Sequence, residues 1–354
     1  VSGWSLVAFV LLLASLIFVH ELGHFLTAKL FGVKVLEFGL GLPPRIFSFK
    51  RGDTTYSLNL IPLGGFNRLL GEEDPSDPRS LAAKRPGPRL AILSAGSLAM
   101  FLFPFLILSL AFMVPHSEVV GGEGIKIAQV MPASPAYRAG LKSGDEILAV
   151  DAEEVKDFDG LHEVIYSKRG KEVTLLLRRE GKLMRVDLIP RENPPPGEGP
   201  MGVALSWAHT ITQRKAYPPW TAVALGTKQT WALWVMLKQG VAALVQGEAR
   251  FSLVGPVGIA QATGEVARGG VTPLIVWASF LSINLGIINL LPIPALDGGR
   301  IAFVLLEVLR GGRRISPQKE RLAHLVGLVL LLSLMVGVTY WDVWRIFEGG
   351  SLFR

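Results

Sequence analysis

Cysteine is absent from the 354-residue chain, which excludes disulfide staples and thiolate metal sites. Charge is scarce as well. Asp, Glu, Lys and Arg make up 18% of the residues, half the chain is hydrophobic, and the mean hydropathy is +0.41. That is too apolar for an ordinary soluble protein, so a membrane protein is expected. Acidic residues are fewer than basic ones, 29 against 36, for a net charge of +7. Such a balance can mark a nucleic-acid binder, but no helix–turn–helix, zinc-finger or RNA-binding signature is present. The basic residues instead cluster in loops beside apolar segments, so membrane orientation accounts for them and no nucleic-acid partner is expected. Histidine is rare too, with six in the chain.

What is abundant is long apolar runs. Spanning a bilayer takes about 20 mostly apolar residues in a helix. Four segments qualify, at roughly 4–28, 90–114, 272–292 and 322–346. The first lacks the basic lead and small-residue cleavage site of a signal peptide, so it is expected to stay as a spanning helix. A fifth stretch, 221–245, carries Lys228 and Lys238. Each would cost about 3 kcal/mol near a bilayer centre, so an amphipathic helix on the membrane surface is expected there. Residues 31–89 hold nine Lys or Arg, the short loop 298–321 holds six, and nothing before His20 is charged. By the positive-inside rule both loops are cytoplasmic and the N-terminus and the region 115–222 are outside.

The outside region reads as a soluble module. Between about 124 and 190, short β-branched runs alternate with turn signals such as "KSGD", and 158–168 reads as a helix. The "PPPGEGP" at 194–200 reads as a stiff linker. On the cytoplasmic side, "GLGLPPRIFSFKRGDTTYSLNLIPLGGFNRLLGE" reads as a β-hairpin turning at "KRGD".

The chemistry starts at "FVHELGHFLTAK", residues 18–29. H-E-x-x-H on a helix puts His20 and His24 one turn apart on one face. Two neutral imidazoles there can hold zinc, and Glu21 beside them can take a proton from the water such a site activates. Ionisable groups at membrane depth are expensive, which argues against a merely structural polar patch. A catalytic zinc site usually has three protein ligands and one open position. His116, His162, His209 and His324 are isolated, and surface or packing roles are expected for them. Asp297 in "NLLPIPALDGGR", 289–300, is by local pattern an ordinary Asp-Gly turn. Depth changes that reading. His20 lies roughly 24 Å along the first helix, and the third reaches Pro292 after roughly 30 Å, both from outside to inside. Both motifs arrive near the cytoplasmic side, where Pro292 and Pro294 end the helix. Irregular backbone at that depth must be buried in protein or line a wet cavity. Zinc held by His20, His24 and Asp297 explains why polar groups are kept in hydrocarbon.

With those motifs in place, the chain resembles the bacterial site-2 protease family, intramembrane zinc metalloproteases of the regulator of sigma-E protease type. "HELGH" in the first span, "NLLPIPALDGG" in the third and a PDZ-like insert between the second and third carry the resemblance. "IPLGGFNRLLGEED", "SLVGPVGIAQA" and "LEVLRGGRRISPQKERLAHLVGLVLLL" extend it. The resemblance implies His20, His24 and Asp297 as ligands of one zinc ion and Glu21 as general base. It implies that Asn289 helps hold the substrate backbone, and that Gly64, Gly65 and Phe66 lie in a membrane-associated hairpin loop engaging an extended substrate. Departures are Ser97 and Met100, where relatives carry Pro and Asn, and Arg300, where His is frequent.

The expected fold is an α-helical polytopic membrane protein of about four transmembrane helices, with an inserted α+β PDZ-like domain and a membrane-associated β-hairpin. Its expected parts are a first membrane half, 1–114, and the PDZ-like domain, 120–192. A linker and amphipathic surface helix, 193–250, and a second membrane half, 251–354, complete it. The expected activity is hydrolysis of a peptide bond within or near the membrane segment of single-span proteins in the bacterial cytoplasmic membrane. Relatives cut anti-sigma factors or signal-peptide remnants. The PDZ-like domain would filter substrates by size or bind their termini by strand addition. Membrane lipid is the other expected partner. A catalytically weak peptide-binding scaffold is the rival, and intact Glu21 argues against it. A metal-coupled transporter is disfavoured by four spans and no internal repeat.

Overall fold

The computed structural model describes residues 3–72, 74–195, 197–246 and 254–348. The chain divides into two compact units, Pro115–Lys215 and the remainder, Val1–Val114 with Ala216–Arg354. In the larger unit α1 (Gly3–Leu30) is apolar around its whole circumference up to His20, the pattern of a helix with no aqueous face. It leads into β1 (Val35–Arg51) and β2 (Thr54–Leu69), which pair antiparallel around Gly52 at φ 61°. Phe38 pairs with both Asn67 and Tyr56, so the first half of β1 is flanked on both sides by the two halves of β2. Its ring lies 6.0 Å from Phe18 and 5.0 Å from Phe25 of α1, so that face of the hairpin packs on the histidine-bearing helix. Pro86 pre-sets the first turn of α2 (Pro86–Met113).

The smaller unit is an antiparallel sheet. Its elements are β3 (His116–Val130), α3 (Pro135–Arg138), β4 (Glu146–Val150), β5 (Glu153–Glu154), α4 (Phe158–Ser167), β6 (Val173–Arg179), β7 (Lys182–Leu188) and β8 (Val203–Lys215). The strand order is β7-β6-β4-β3-β8, with β5 on β4. Alternation in β6 buries Val173, Leu175 and Leu177 against Ile125, Ile127, Ile147, Leu161 and Ile165. Asp157 caps α4 by accepting from Gly160 N–H at 2.8 Å. In "KSGD" the Asp145 carboxylate accepts from Lys142 N–H at 2.8 Å, and Gly144 sits at φ 98°.

This unit is wider than the 120–192 read from sequence. β8 comes from residues expected to be linker, yet it pairs with β3 from Val203↔Val130 to Lys215↔His116. The strand is half-polar and half-exposed, and proline precedes it, so its local pattern is weak. Only the pairing reveals it.

The chain returns to the larger unit through α5 (Pro219–Val245), α6 (Pro256–Ala267), α7 (Val271–Leu290), α8 (Asp297–Leu309) and α9 (Pro317–Phe347). Residues 247–253 lie outside the described residues, among them the start expected for the second membrane half at 251 and the first two residues, Ser252 and Leu253, of "SLVGPVGIAQA". Among the described residues, four helices have the length and apolar composition to cross a membrane: Ser5–Leu30, Pro86–Met113, Val271–Leu290 and Pro317–Phe347. α5 is not among them. It runs antiparallel along α2: Tyr217 N–H donates to Phe112 O at 2.9 Å, and Trp234 stacks edge-on with Phe101 at 5.3 Å. Ala222, Gly226, Thr230 and Leu233 form its buried stripe, while Lys228 and Lys238 are exposed. At the other end of α2, Arg89 donates to the buried Glu307 of α8 at 2.6 Å, and Arg314 donates to the same carboxylate at 3.1 Å. This pairing fixes α8, whose first residue is Asp297.

The smaller unit has its own core, so a fragment of residues 115–215 is expected to fold cooperatively. Burial pushes the Asp145 carboxyl up, but hydrogen bonds from Arg179 and Lys142 outweigh it and hold the group below its ordinary value. The stability this pair contributes is therefore complete above about pH 4 and is lost as pH falls through the lowered folded value. Urea titrations of the fragment should show Asp145→Asn less stable by about 1.5–3 kcal/mol at neutral pH. The difference should shrink on acidification, and equal loss at every pH would remove the pair as its cause.

Candidate metal centre

His20 and His24 are one turn apart on α1, and Asp297 opens α8. Although 273 positions separate Asp297 from His24 in sequence, its Oδ2 lies 3.2 Å from His24 Nε2 and 3.1 Å from His20 Nε2. The two Nε2 atoms are 3.2 Å apart. Ligand atoms about 2.0–2.1 Å from a tetrahedral zinc lie about 3.3–3.4 Å from one another, so this triangle is one face of such a site with the fourth position open. His24 Nδ1 lies 2.8 Å from Ile92 O. That contact selects the tautomer with the proton on Nδ1 and leaves Nε2 as a lone-pair donor. Two imidazoles and one carboxylate form the one such cluster among the described residues, and the donor set fits zinc.

The close approach depends on glycine. At Gly96 of α2 a Cβ would overlap His24 Nε2 and come within 2.8 Å of His20 Nδ1. At Gly299 a Cβ would stand 2.5 Å from Ile293 O, and at Gly298 it would overlap Leu291 O. The two glycines after Asp297 therefore let α8 fold back on the turn that follows α7. Neither constraint is legible in the local pattern. "SAGSLA" reads as an ordinary small-residue stretch of an apolar helix.

Glu21 faces the hairpin. A Cβ at Gly65 would stand 2.7 Å from Ile17 Cγ2 and 3.1 Å from Glu21 Cγ, so Gly65 brings the strand against the candidate base. Gly64 meets Leu42 in the same way, at 2.8 Å, and Phe66 covers Gly39. Sequence reasoning overlooked Asn67. It stands opposite Phe38 on the face turned to α1, and both its amide atoms are buried without a partner. Asn289 is in the last turn of α7, half-buried. The structure does not join it to the histidines or to Asp297 by any hydrogen bond among the described residues. Met100 is buried with Leu12, Leu16 and Leu281, and its carbonyl accepts from Ser282 Oγ at 2.7 Å. This departure thus replaces a polar group by apolar packing. Ser97 is buried with its hydroxyl unpaired, and Arg300 pairs with Glu72 at 2.8 Å.

Residues 8–334 match the model of "Peptidase family M50". The chain is 30% identical to the zinc metalloprotease RasP of Geobacillus kaustophilus, over 97% of this chain and 98% of that protein. It is 28% identical to the regulator of sigma-W protease RasP of Bacillus subtilis, over 97% and 99%. Among solved structures, the PDZ domain of an SdrC-like protein from Listeria monocytogenes is matched at 24% identity over 24% of this chain and 90% of that one, with a TM-score of 0.22.

Substituting Gly96 by Ala should displace both imidazoles and lower metal affinity about 10–100-fold, the size of effect seen when outer-shell partners of ligands are lost. Metal content after dialysis against a graded chelator, read by mass spectrometry, checks this. Unchanged content would mean that α2 is free to move away from α1.

Proposed function

The chain belongs to peptidase family M50, and from that premise we propose that His20, His24 and Asp297 hold its zinc ion while Glu21 acts as the base. The protein is an intramembrane zinc metalloprotease of regulated intramembrane proteolysis. The observation that carries the residue assignment is the triangle of donor atoms at 3.1–3.2 Å beside Glu21.

When bound, zinc supplies a Lewis acid for the scissile carbonyl and acidifies the attacking water. The chain's own residues do the rest. Glu21 takes the water's proton and returns it to the leaving amine, so one water is consumed and a carboxylate and an amine are released. The bond from His24 Nδ1 to Ile92 O keeps that imidazole a donor to the metal throughout. A membrane helix hides its carbonyls in hydrogen bonds, so the substrate must be held extended. The second half of β2 supports this role: residues 65–69 pair with β1 on one side only, and Gly65 brings that strand to Glu21. A peptide added to the free edge would be held by main-chain bonds, with Gly64, Gly65 and Phe66 on that strand, and Asn289 of α7 is proposed to help hold its backbone.

The substrates of this reading are single-span membrane proteins. The protein is a multi-pass membrane protein, and the basic loops favour an extracytoplasmic N-terminus and an extracytoplasmic Pro115–Lys215 unit, with the metal centre toward the cytoplasmic side. The smaller unit is read as a PDZ-like peptide binder. β8 pairs with β3 alone, and a cavity of about 330 Å³ beside it is lined by Phe158, Leu161, Ile165, Met201, Val203 and Leu205. These features suit an extended apolar chain end.

The purified protein in detergent should cut a single-span model substrate inside its span. Glu21→Gln should slow cleavage by about 10²–10⁴-fold, the range for loss of a general base, while still binding zinc, and a chelator should stop it. Full activity of Glu21→Gln would sink the assignment of the base. Zinc binding without cleavage of any of several spans would favour the scaffold.

A further inference from the structure

His20 and His24 account for two of the six histidines, and a third belongs to the same centre at one remove. Asp297 follows a turn, Leu291–Leu296, that no ladder holds. Its internal bonds are Ile293 N–H to Leu291 O at 2.6 Å and Leu296 N–H to Ile293 O at 3.1 Å. Within it Ala295 takes φ 82°. A side chain with a Cβ is strained in that region and stays there only when its surroundings over-determine it. The surroundings are α8 on one side, through Gly298 and Gly299, and α9 on the other.

α9 reaches the turn at two points on one helical face. The Ala295 N–H donates to His324 Nδ1 at 2.8 Å. Three residues later, a Cβ on Gly327 would overlap Pro294 O and stand 2.6 Å from Pro294 Cβ, so the helix backbone lies directly on the turn. The His324 ring also packs on Phe303 of α8, with ring centroids 5.5 Å apart. The buried residues of α9 are Gly327 and Asp342, and Asp342 accepts from Gly258 N–H at the start of α6. The inner end of α9 is therefore anchored to the turn that delivers the carboxylate.

We propose that His324 is a positioning residue for Asp297: as an acceptor at Nδ1 it holds Ala295 in the left-handed conformation that carries Asp297 to the histidine pair. The role needs the neutral imidazole with its proton on Nε2, and it sets the geometry of the metal centre without touching it. It rests on the reading of Asp297 as a metal ligand.

The test uses the full chain in detergent, stripped by chelation and titrated with Co²⁺. The visible absorption reports ligand geometry, and competition with a chelator reports affinity. His324→Leu should weaken binding about 10–100-fold, as loss of an outer-shell partner does, and should change the Co²⁺ bands. His324→Asn, whose side-chain oxygen can accept from Ala295 N–H, should restore most of both. Glycine adopts the left-handed region without strain, so His324→Leu should cost far less when Ala295→Gly is already present. That double variant compared with Ala295→Gly alone also serves if His324→Leu by itself does not fold. Equal losses in His324→Asn and His324→Leu, or an undiminished loss in the Ala295→Gly background, would overturn the proposal. If Asp297→Ala keeps full affinity, the ligand assignment itself fails. If Asp297→Ala loses the metal while His324→Leu keeps affinity and spectrum, only the positioning role fails.

Discussion

Two imidazoles and a carboxylate lie within 3.2 Å of one another among helices built almost entirely of apolar side chains, and most of the larger unit is arranged to allow it. Such groups are costly in hydrocarbon unless paired or bound to a metal. They can share one ion only if α1, α2 and α8 approach more closely than side chains permit. Hence the glycines: Gly96 where α2 crosses the histidines, and Gly298 and Gly299 where α8 turns back under α7. Hence also the outer anchors, Ile92 O on His24 and the Arg89–Glu307–Arg314 group on α8. Each holds one ligand element in place, and none contributes an atom to the centre.

The hairpin follows the same logic of close approach. Its long strands bend, so β1 is paired on both sides and the second half of β2 becomes an edge beside Glu21. Gly65 removes the side chain that would keep the edge away from the base, and Phe38 locks the sheet onto Phe18 and Phe25 of the same helix. The candidate base, the histidine pair and the strand edge therefore share one reference element, α1. Met100 and Leu16 fill the space one turn from the histidines with apolar contacts, so the departure from the family pattern is absorbed in packing.

Two segments pack in ways that their local sequence does not show. In sequence β8 reads as linker because its polar alternation is weak and prolines precede it. The neighbour β3 supplies the pairing that makes it a strand, and local propensity yields to such context. The helix at 219–245 reads as a surface helix because of its two lysines. A stripe of small residues, Ala222, Gly226 and Thr230, lets it run along α2 while Lys228 and Lys238 stay exposed. A small-residue stripe is a packing signal that charge counting overlooks.

By itself the sequence determined the four apolar helices, the histidine pair with its glutamate, the candidate carboxylate and the basic loops, because each is a property of composition or helical period within one segment. Only the tertiary structure decided that Asp297 meets His20 and His24 at bonding distance, that Gly96 is the contact making this possible, and that His324 reaches the strained Ala295. Those facts depend on segments up to 273 positions apart closing on one point. A backbone carbonyl such as Ile92 O, or the absence of a Cβ, leaves no mark in a periodic pattern until the neighbour that needs it is in place.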